Sequence, residues 1–178
     1  MAHDLHLRSR KMNLITIEIE NLDATFRVGR RLGAALGVGH VLALTGPLGS
    51  GKTTLVKGIA DGADVGDLRQ VNSPTFVIVN EYEAGGRFPS LRLYHVDACR
   101  LRVGTDLEAL GIDEMYAEGA VLIEWADKVT DILPADRLAI DIEPIDENRR
   151  RFHCTATGPA AQSLLASIQP DDEPSRRH

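Results

Sequence analysis

The stretch Gly46-Pro47-Leu48-Gly49-Ser50-Gly51-Lys52-Thr53 constrains this chain more than any other. It fits the pattern G-x-x-x-x-G-K-[ST], the phosphate-holding loop of nucleotide triphosphatases. Glycines let the backbone wind close to phosphate oxygens, where a Cβ would clash. Successive amide N–H groups then form an anion-binding nest, and a helix starting near Lys52 adds its positive end. The pattern assigns Lys52 to the β- and γ-phosphates and the Thr53 hydroxyl to Mg²⁺. The context agrees. Val41-Leu42-Ala43-Leu44 is an apolar run ahead of the loop, and Leu55, Val56, Ile59 and Ala60 follow at helical spacing. Strand, loop and helix are the order this chemistry requires. A plain Gly-rich turn would need neither the lysine nor the threonine.

The rest of the chain supplies a frame for that loop. Val41 to Thr45 does not alternate, which predicts burial on both faces in a parallel sheet with helices on each side. Leu14 to Glu20 does alternate, with Ile15, Ile17 and Ile19 on one face of a half-buried strand. Asn21 or Asp23 can cap the helix that follows. Leu22, Phe26, Gly29, Gly33 and Leu36 share its apolar stripe, and Gly37-Val38-Gly39 ends it. Glycines 29 and 33 cost helix propensity, so close packing is expected there. Val71 to Tyr82 enters a strand through Ser73-Pro74-Thr75, a rigid turn with two hydroxyls. Such a hydroxyl can reach Mg²⁺ or the terminal phosphate; an ordinary strand-entry turn is the alternative.

Leu91 to Val96 is a strand that ends at Asp97, and Val121 to Ile123 is one that ends at Glu124. Trp125, the single tryptophan, comes next. Acids at the C-terminal ends of parallel strands lie on the sheet edge where ligands bind. One can hold Mg²⁺ while the other orients an attacking water. Trp125 either stacks near the nucleotide or a partner or belongs to the core. His95 and Cys99 are expected to be packed side chains, and Arg100 and Arg102 solvated ones. Asp106 to Gly119 reads as helical, interrupted by Gly111. Leu138 to Glu143 and Arg151 to Thr157 form an antiparallel edge hairpin, with Arg149 to Arg151 as its solvated flank and an RNA or partner contact as the alternative. Ala161 to Ile168 is a short amphipathic helix. The expected fold is a P-loop NTPase-like three-layer α/β/α domain over residues 13–168, with a mostly parallel central sheet and antiparallel edge strands.

Composition narrows the partners. The 178 residues suffice for one domain with a core, and the apolar and charged shares, 43% and 26%, are those of a soluble globular protein. A net charge of −6 argues against non-specific binding to a polyanion by this chain alone, DNA included. It leaves room for a protein partner that supplies the basic surface. Cys99 and Cys154 lack metal-ligand spacing and read as reduced thiols of a cytoplasmic protein. No apolar run approaches the roughly 18 residues that span a membrane. Residues 1–12 read as a polar arm, with Met1 or Met12 as the native start, and residues 169–178 as a charged, disordered tail.

Taken together, these blocks resemble the TsaE (formerly YjeE) ATPases of bacterial tRNA threonylcarbamoyladenosine biosynthesis. The resemblance covers Ile17 to Leu165. It rests on Gly46 to Thr54, Ser73-Pro74-Thr75-Phe76 with Glu81-Tyr82, Tyr94-His95-Val96-Asp97 with Arg100-Leu101, Leu110-Gly111-Ile112, and Glu124-Trp125. It implies a compact P-loop domain that binds ATP and Mg²⁺. It also implies association with TsaD- and TsaB-like subunits, with tRNA reached indirectly through that complex, and an ATPase that is slow alone. Carried over by motif, Gly46, Gly49, Ser50, Gly51, Lys52, Thr53 and Thr54 bind the nucleotide. Thr53, Asp97 and Glu124 are the metal residues, and Lys52, Asp97 and Glu124 the catalytic ones. Ser73 and Thr75 form a switch-like element, Trp125 lies by the site, and Thr25 resembles a position near the base. The chain departs from the family at Pro47 and Ser50, where an acid and an alanine are usual. It also departs at Cys99 and Ala126, where tyrosine and proline are usual.

Three other readings compete. A small-molecule kinase would want an arginine-bearing lid after the phosphate strand, whereas the arginine cluster here comes late, on a hairpin. A regulatory GTPase would want an Asn-Lys-x-Asp motif, which the chain lacks. A non-hydrolysing, nucleotide-gated binding module shades into the leading reading.

Overall fold

The computed structural model describes residues 13–73, 78–86, 89–101 and 104–169. Within them the chain runs β1 (Asn13–Ile19), α1 (Leu22–Ala34), β2 (Val41–Thr45), α2 (Lys52–Gly62), β3 (Val79–Glu83), β4 (Arg92–Asp97), α3 (Gly104–Glu108), α4 (Ile112–Glu118), β5 (Gly119–Glu124), β6 (Leu138–Pro144), β7 (Arg150–Ala156) and α5 (Pro159–Ile168). The strands form one sheet in the order β1-β7-β6-β2-β5-β4-β3. The centre is parallel, β6 to β2 to β5 to β4. Both flanks are antiparallel. This is the expected mixed sheet, with the phosphate-loop strand β2 in the middle.

Alternate residues of the central strands feed two cores, which is why their sequences are apolar throughout. Leu42, Leu44, Leu93, Leu122 and Ile140 face α1, α2 and α5. Val41, Ala43, Val96, Val121 and Ile123 face Leu107 of α3, Ile112 of α4 and Val129. The result is three layers. The helix expected over Asp106 to Gly119 is two helices, because Gly111 sits at φ +78° between them. That left-handed residue ends one helix and opens the next.

Asn21 caps α1, its side chain accepting from Ala24 N–H at 2.8 Å. α1 then packs backbone to backbone on α2. A Cβ on Gly29 would lie 2.5 Å from the Leu55 carbonyl, and one on Gly33 2.8 Å from the Ile59 carbonyl carbon. Gly58 and Gly62 on α2 face the α1 backbone in the same way. The glycines that weaken the helix in isolation are thus what allow this crossing. It fixes α2, and with it the phosphate loop, against the sheet. Among the described residues, no helix is long and apolar enough to cross a membrane.

Candidate functional site

The loop between β2 and α2 is shaped by three left-handed glycines, Gly46 (φ +133°), Gly49 (φ +77°) and Gly51 (φ +111°). Gly46 could carry no side chain in any case, since a Cβ would lie 2.6 Å from the Ile142 carbonyl of β6. Pro47 fits the turn. Its carbonyl accepts from Ser50 N–H at 3.1 Å, so Gly49 occupies the third turn position, where a positive φ is wanted. The first amide of α2 bonded back along the chain is Leu55, to Gly51 at 2.9 Å. No side chain caps the helix. The amides of Gly51, Lys52, Thr53 and Thr54 are therefore the helix's orphan donors, suited to an anion.

Lys52 is 5% exposed. Its ammonium donates to the Gly46 carbonyl at 2.7 Å and the Pro47 carbonyl at 3.0 Å, and sits 4.0 Å from the centre of the Trp125 ring. Burial pushes its pKa below the ordinary lysine value, opposed by the charges of Glu124 and then Asp97. None of its hydrogen bonds runs to a carboxylate. Trp125 holds its place in a left-handed conformation (φ 58°), costly for a large side chain and found where a site over-determines it.

The two strand-end acids lie side by side. Asp97 of β4 and Glu124 of β5 are register partners, and both are buried. Glu124 accepts from the Thr53 hydroxyl, at 3.0 Å to Oε1 and 3.2 Å to Oε2. It also pairs through Oε1 with His95 Nε2 at 2.9 Å. Among the described residues His95 Nδ1 is buried without a partner, so a ring with Nε2–H donating to Glu124 makes the contact that is available to it. Asp97 accepts from the Ser73 hydroxyl at 2.6 Å and from Cys99 N–H at 2.8 Å. Leu48, Lys52, Thr53, Thr54, Ser73, Asp97, Glu124 and Trp125 line one open cleft of about 240 Å³, with Cys99 and Gly51. A larger groove, about 650 Å³, crosses the outside of α1 and α2 and shares none of these residues.

The donor set fits a phosphate chain with a divalent cation. Orphan amides and a lysine meet anionic oxygens, while Thr53, Asp97 and Glu124 offer hard oxygen ligands. Among the described residues no group of three or more His, Cys, Asp or Glu side chains suits a metal. Mg²⁺ takes one or two carboxylates and draws its other ligands from substrate phosphates and water, so Asp97 and Glu124 beside the Thr53 hydroxyl could hold it.

Several expectations change. Thr25 does not line the cleft. It is fully buried beneath the loop, its methyl 3.9 Å from where a Cβ on Gly51 would stand. Thr75 and Arg102 lie outside the described residues. Cys99 is exposed at the cleft, not packed; it lies in the short 3-10 turn Ala98–Arg100 that follows β4. His95 is packed as expected, but against the Glu124 carboxylate. Arg150 overturns the solvated-flank reading of its triplet. It is 7% exposed and reaches the loop, its Nε donating to the Ser50 carbonyl at 3.2 Å. The signal was present in the sequence, since Arg150 is in phase with Phe152, Cys154 and Ala156, the buried face of β7.

A family model described as "Threonylcarbamoyl adenosine biosynthesis protein TsaE" matches residues 19–152. Among relatives, the chain is 38% identical over 153 residues to the "tRNA threonylcarbamoyladenosine biosynthesis protein TsaE" of Bacillus subtilis (85% of this chain, 92% of that one). It is 39% identical over 147 residues to the protein of that name from Streptomyces coelicolor (79% and 95%). A crystal structure of Bacillus subtilis YdiB superposes with a TM-score of 0.71 at 31% identity, covering 90% of this chain and 97% of that one.

Proposed function

The chain belongs to the TsaE family, and on that premise we propose that it is a Mg²⁺-dependent ATPase serving the threonylcarbamoyladenosine modification of tRNA next to the anticodon. It acts through a complex with TsaD- and TsaB-like subunits. The observation that carries the catalytic part is the contact between the phosphate loop and a buried strand-end acid, Thr53 to Glu124, with Asp97 beside it.

Lys52 and the orphan amides at the start of α2 would hold the phosphates. Thr53, Asp97 and Glu124 would hold Mg²⁺, which supplies Lewis-acid stabilisation of the charge on the transferring phosphoryl group. Glu124, held by His95, would orient a water, and the Ser73 hydroxyl donates to Asp97. In this arrangement Lys52 is engaged by loop carbonyls and Glu124 by Thr53 and His95. Groups tied to one another support slow turnover in isolation. The arginine triplet offers the kinase reading no support as a lid: Arg149 pairs with Asp146, Arg151 with Glu18 and Glu143, and Arg150 reaches the loop.

The test is phosphate release from Mg²⁺-ATP, alone and with TsaD- and TsaB-like subunits, alongside recovery of those subunits on the tagged chain with ATP and with ADP. Slow release that the subunits stimulate, with nucleotide-dependent recovery, is expected. A chain that binds no ATP overturns the reading. Hydrolysis without recovery of the subunits keeps the ATPase and removes the assembly.

A further inference from the structure

Among the described residues, Arg150 is the one buried charge outside the cleft; the others, Lys52, Asp97 and Glu124, line it. Among the described residues both of its hydrogen bonds run to backbone carbonyls, Nε to Ser50 at 3.2 Å and Nη1 to Glu147 at 3.0 Å. Its neighbours in sequence differ. Arg149 has Asp146, and Arg151 has Glu18 and Glu143. A guanidinium removed from water with no carboxylate beside it is costly unless some other negative charge comes near.

The place of the contact says what that charge is. The Ser50 carbonyl and the Gly51 amide belong to one planar peptide group, and no peptide bond in the described chain is cis. In a trans peptide the C=O and N–H point in opposite directions. Holding the Ser50 oxygen toward β7 therefore turns the Gly51 N–H away from β7. Gly51 can take this orientation because it sits at φ +111°, and a Cβ on it would stand 4.0 Å from Arg150 Nε. Ser50 itself is 1% exposed, and its hydroxyl has no partner. The Gly51 N–H is thus a donor held on the side away from a fixed positive charge.

We propose that Arg150 is a positioning residue for phosphate binding. From behind the loop it sets the Ser50–Gly51 peptide so that its N–H meets the phosphate, and its charge is neutralised by that anion across the loop. This rests on the nucleotide reading above. An outer strand, β7, flanked by β1 and β6, is thereby coupled to the centre of the site, two strands away.

The test is titration calorimetry of wild type, Arg150→Met, Arg150→Lys and Lys52→Ala with ADP at fixed Mg²⁺, with amide NMR spectra to report folding. With the fold intact, Arg150→Met is expected to bind ADP about tenfold or more weakly, and Arg150→Lys to recover most of that loss, as a charge-assisted contact requires. Loss through a purely structural role would not be recovered by the lysine. If Lys52→Ala loses ADP while Arg150→Met stays within about twofold of wild type, the role of Arg150 is overturned and the nucleotide reading stands. If wild type binds no ADP, both fall. If Arg150→Met does not fold, Arg150→Lys and Arg150→Gln decide. Tighter binding by the lysine variant supports the inference, and equal binding overturns it.

Discussion

Thr53 on the phosphate loop donates its hydroxyl to Glu124 at the end of β5, 3.0 Å from one carboxylate oxygen and 3.2 Å from the other. The same carboxylate takes the His95 ring N–H, so its position is set from the loop above and from the core below. Two substitutions separate charge from structure. Glu124→Gln keeps the volume and an acceptor, and is expected to stay folded, bind ADP and lose at least about a hundredfold in turnover. Glu124→Ala is expected to abolish turnover as well, and to leave His95 Nε2 and Thr53 unpaired. It should therefore cost about 1–3 kcal/mol in urea unfolding. A Glu124→Gln variant that turns over like wild type removes Glu124 from the chemistry.

Lys52 sits 4.0 Å from the centre of the only tryptophan ring in the chain. An anion that draws the ammonium off the loop carbonyls changes the field on that ring. ADP with Mg²⁺ is expected to shift Trp125 fluorescence in a saturable way. Lys52→Ala should weaken binding by about tenfold or more and alter the free-state emission. Emission that ignores saturating nucleotide would separate Trp125 from the site.

Much of this site is legible in the sequence because it follows one-dimensional rules. Asp97 and Glu124 each end an apolar strand, and parallel pairing then sets them side by side. Gly46 to Thr53 is a local motif whose backbone demands specify its residues. What was not legible depends on contacts distant in sequence. Arg150 reaches Ser50 across 100 positions, and in a triplet beside a turn it looks like a solvated arginine. His95 reads as core by burial. Only the register of β4 on β5 shows that its neighbour is a carboxylate. Resemblance puts Thr25 near the base, whereas the closeness of α1 to α2 sets it under the loop.

The two thiols are predicted to behave oppositely. Cys99 lines the cleft and is exposed, whereas Cys154 is fully buried in β7, and burial pushes its thiol up to about 12. At pH 8 a thiol reagent should modify Cys99 quickly, more slowly with Mg²⁺-ADP present, and Cys154 only as the chain unfolds. The pH dependence has a definite sign. The folded value lies above the ordinary 9.0, so the folded chain holds this proton more tightly than the unfolded one. The stability from the buried thiol is whole below pH 9 and is lost as pH rises toward about 12. Urea midpoints against pH for wild type and Cys154→Ala should diverge in that window. Parallel curves would contradict the assignment.

The α1–α2 crossing links stability to the site, and Gly33→Ala tests that link. By helix propensity alone the change should stabilise by about 1 kcal/mol. In this fold the new Cβ would stand 2.8 Å from the Ile59 carbonyl carbon and 2.9 Å from Ala63 N, both backbone atoms that no rotamer change can move. The helices must separate, and overpacking of this kind costs about 1–3 kcal/mol. Overpacking wins, so Gly33→Ala is expected to lower the urea midpoint. Because α2 begins at Lys52, moving it also disturbs the loop, and ADP affinity should fall with stability. Gly66→Ala is the control. Nothing lies within 4 Å of its Cβ and its φ is ordinary, so it should be neutral or slightly stabilising, with ADP binding unchanged. If Gly33→Ala stabilises as Gly66→Ala does, the backbone contact does not hold the loop.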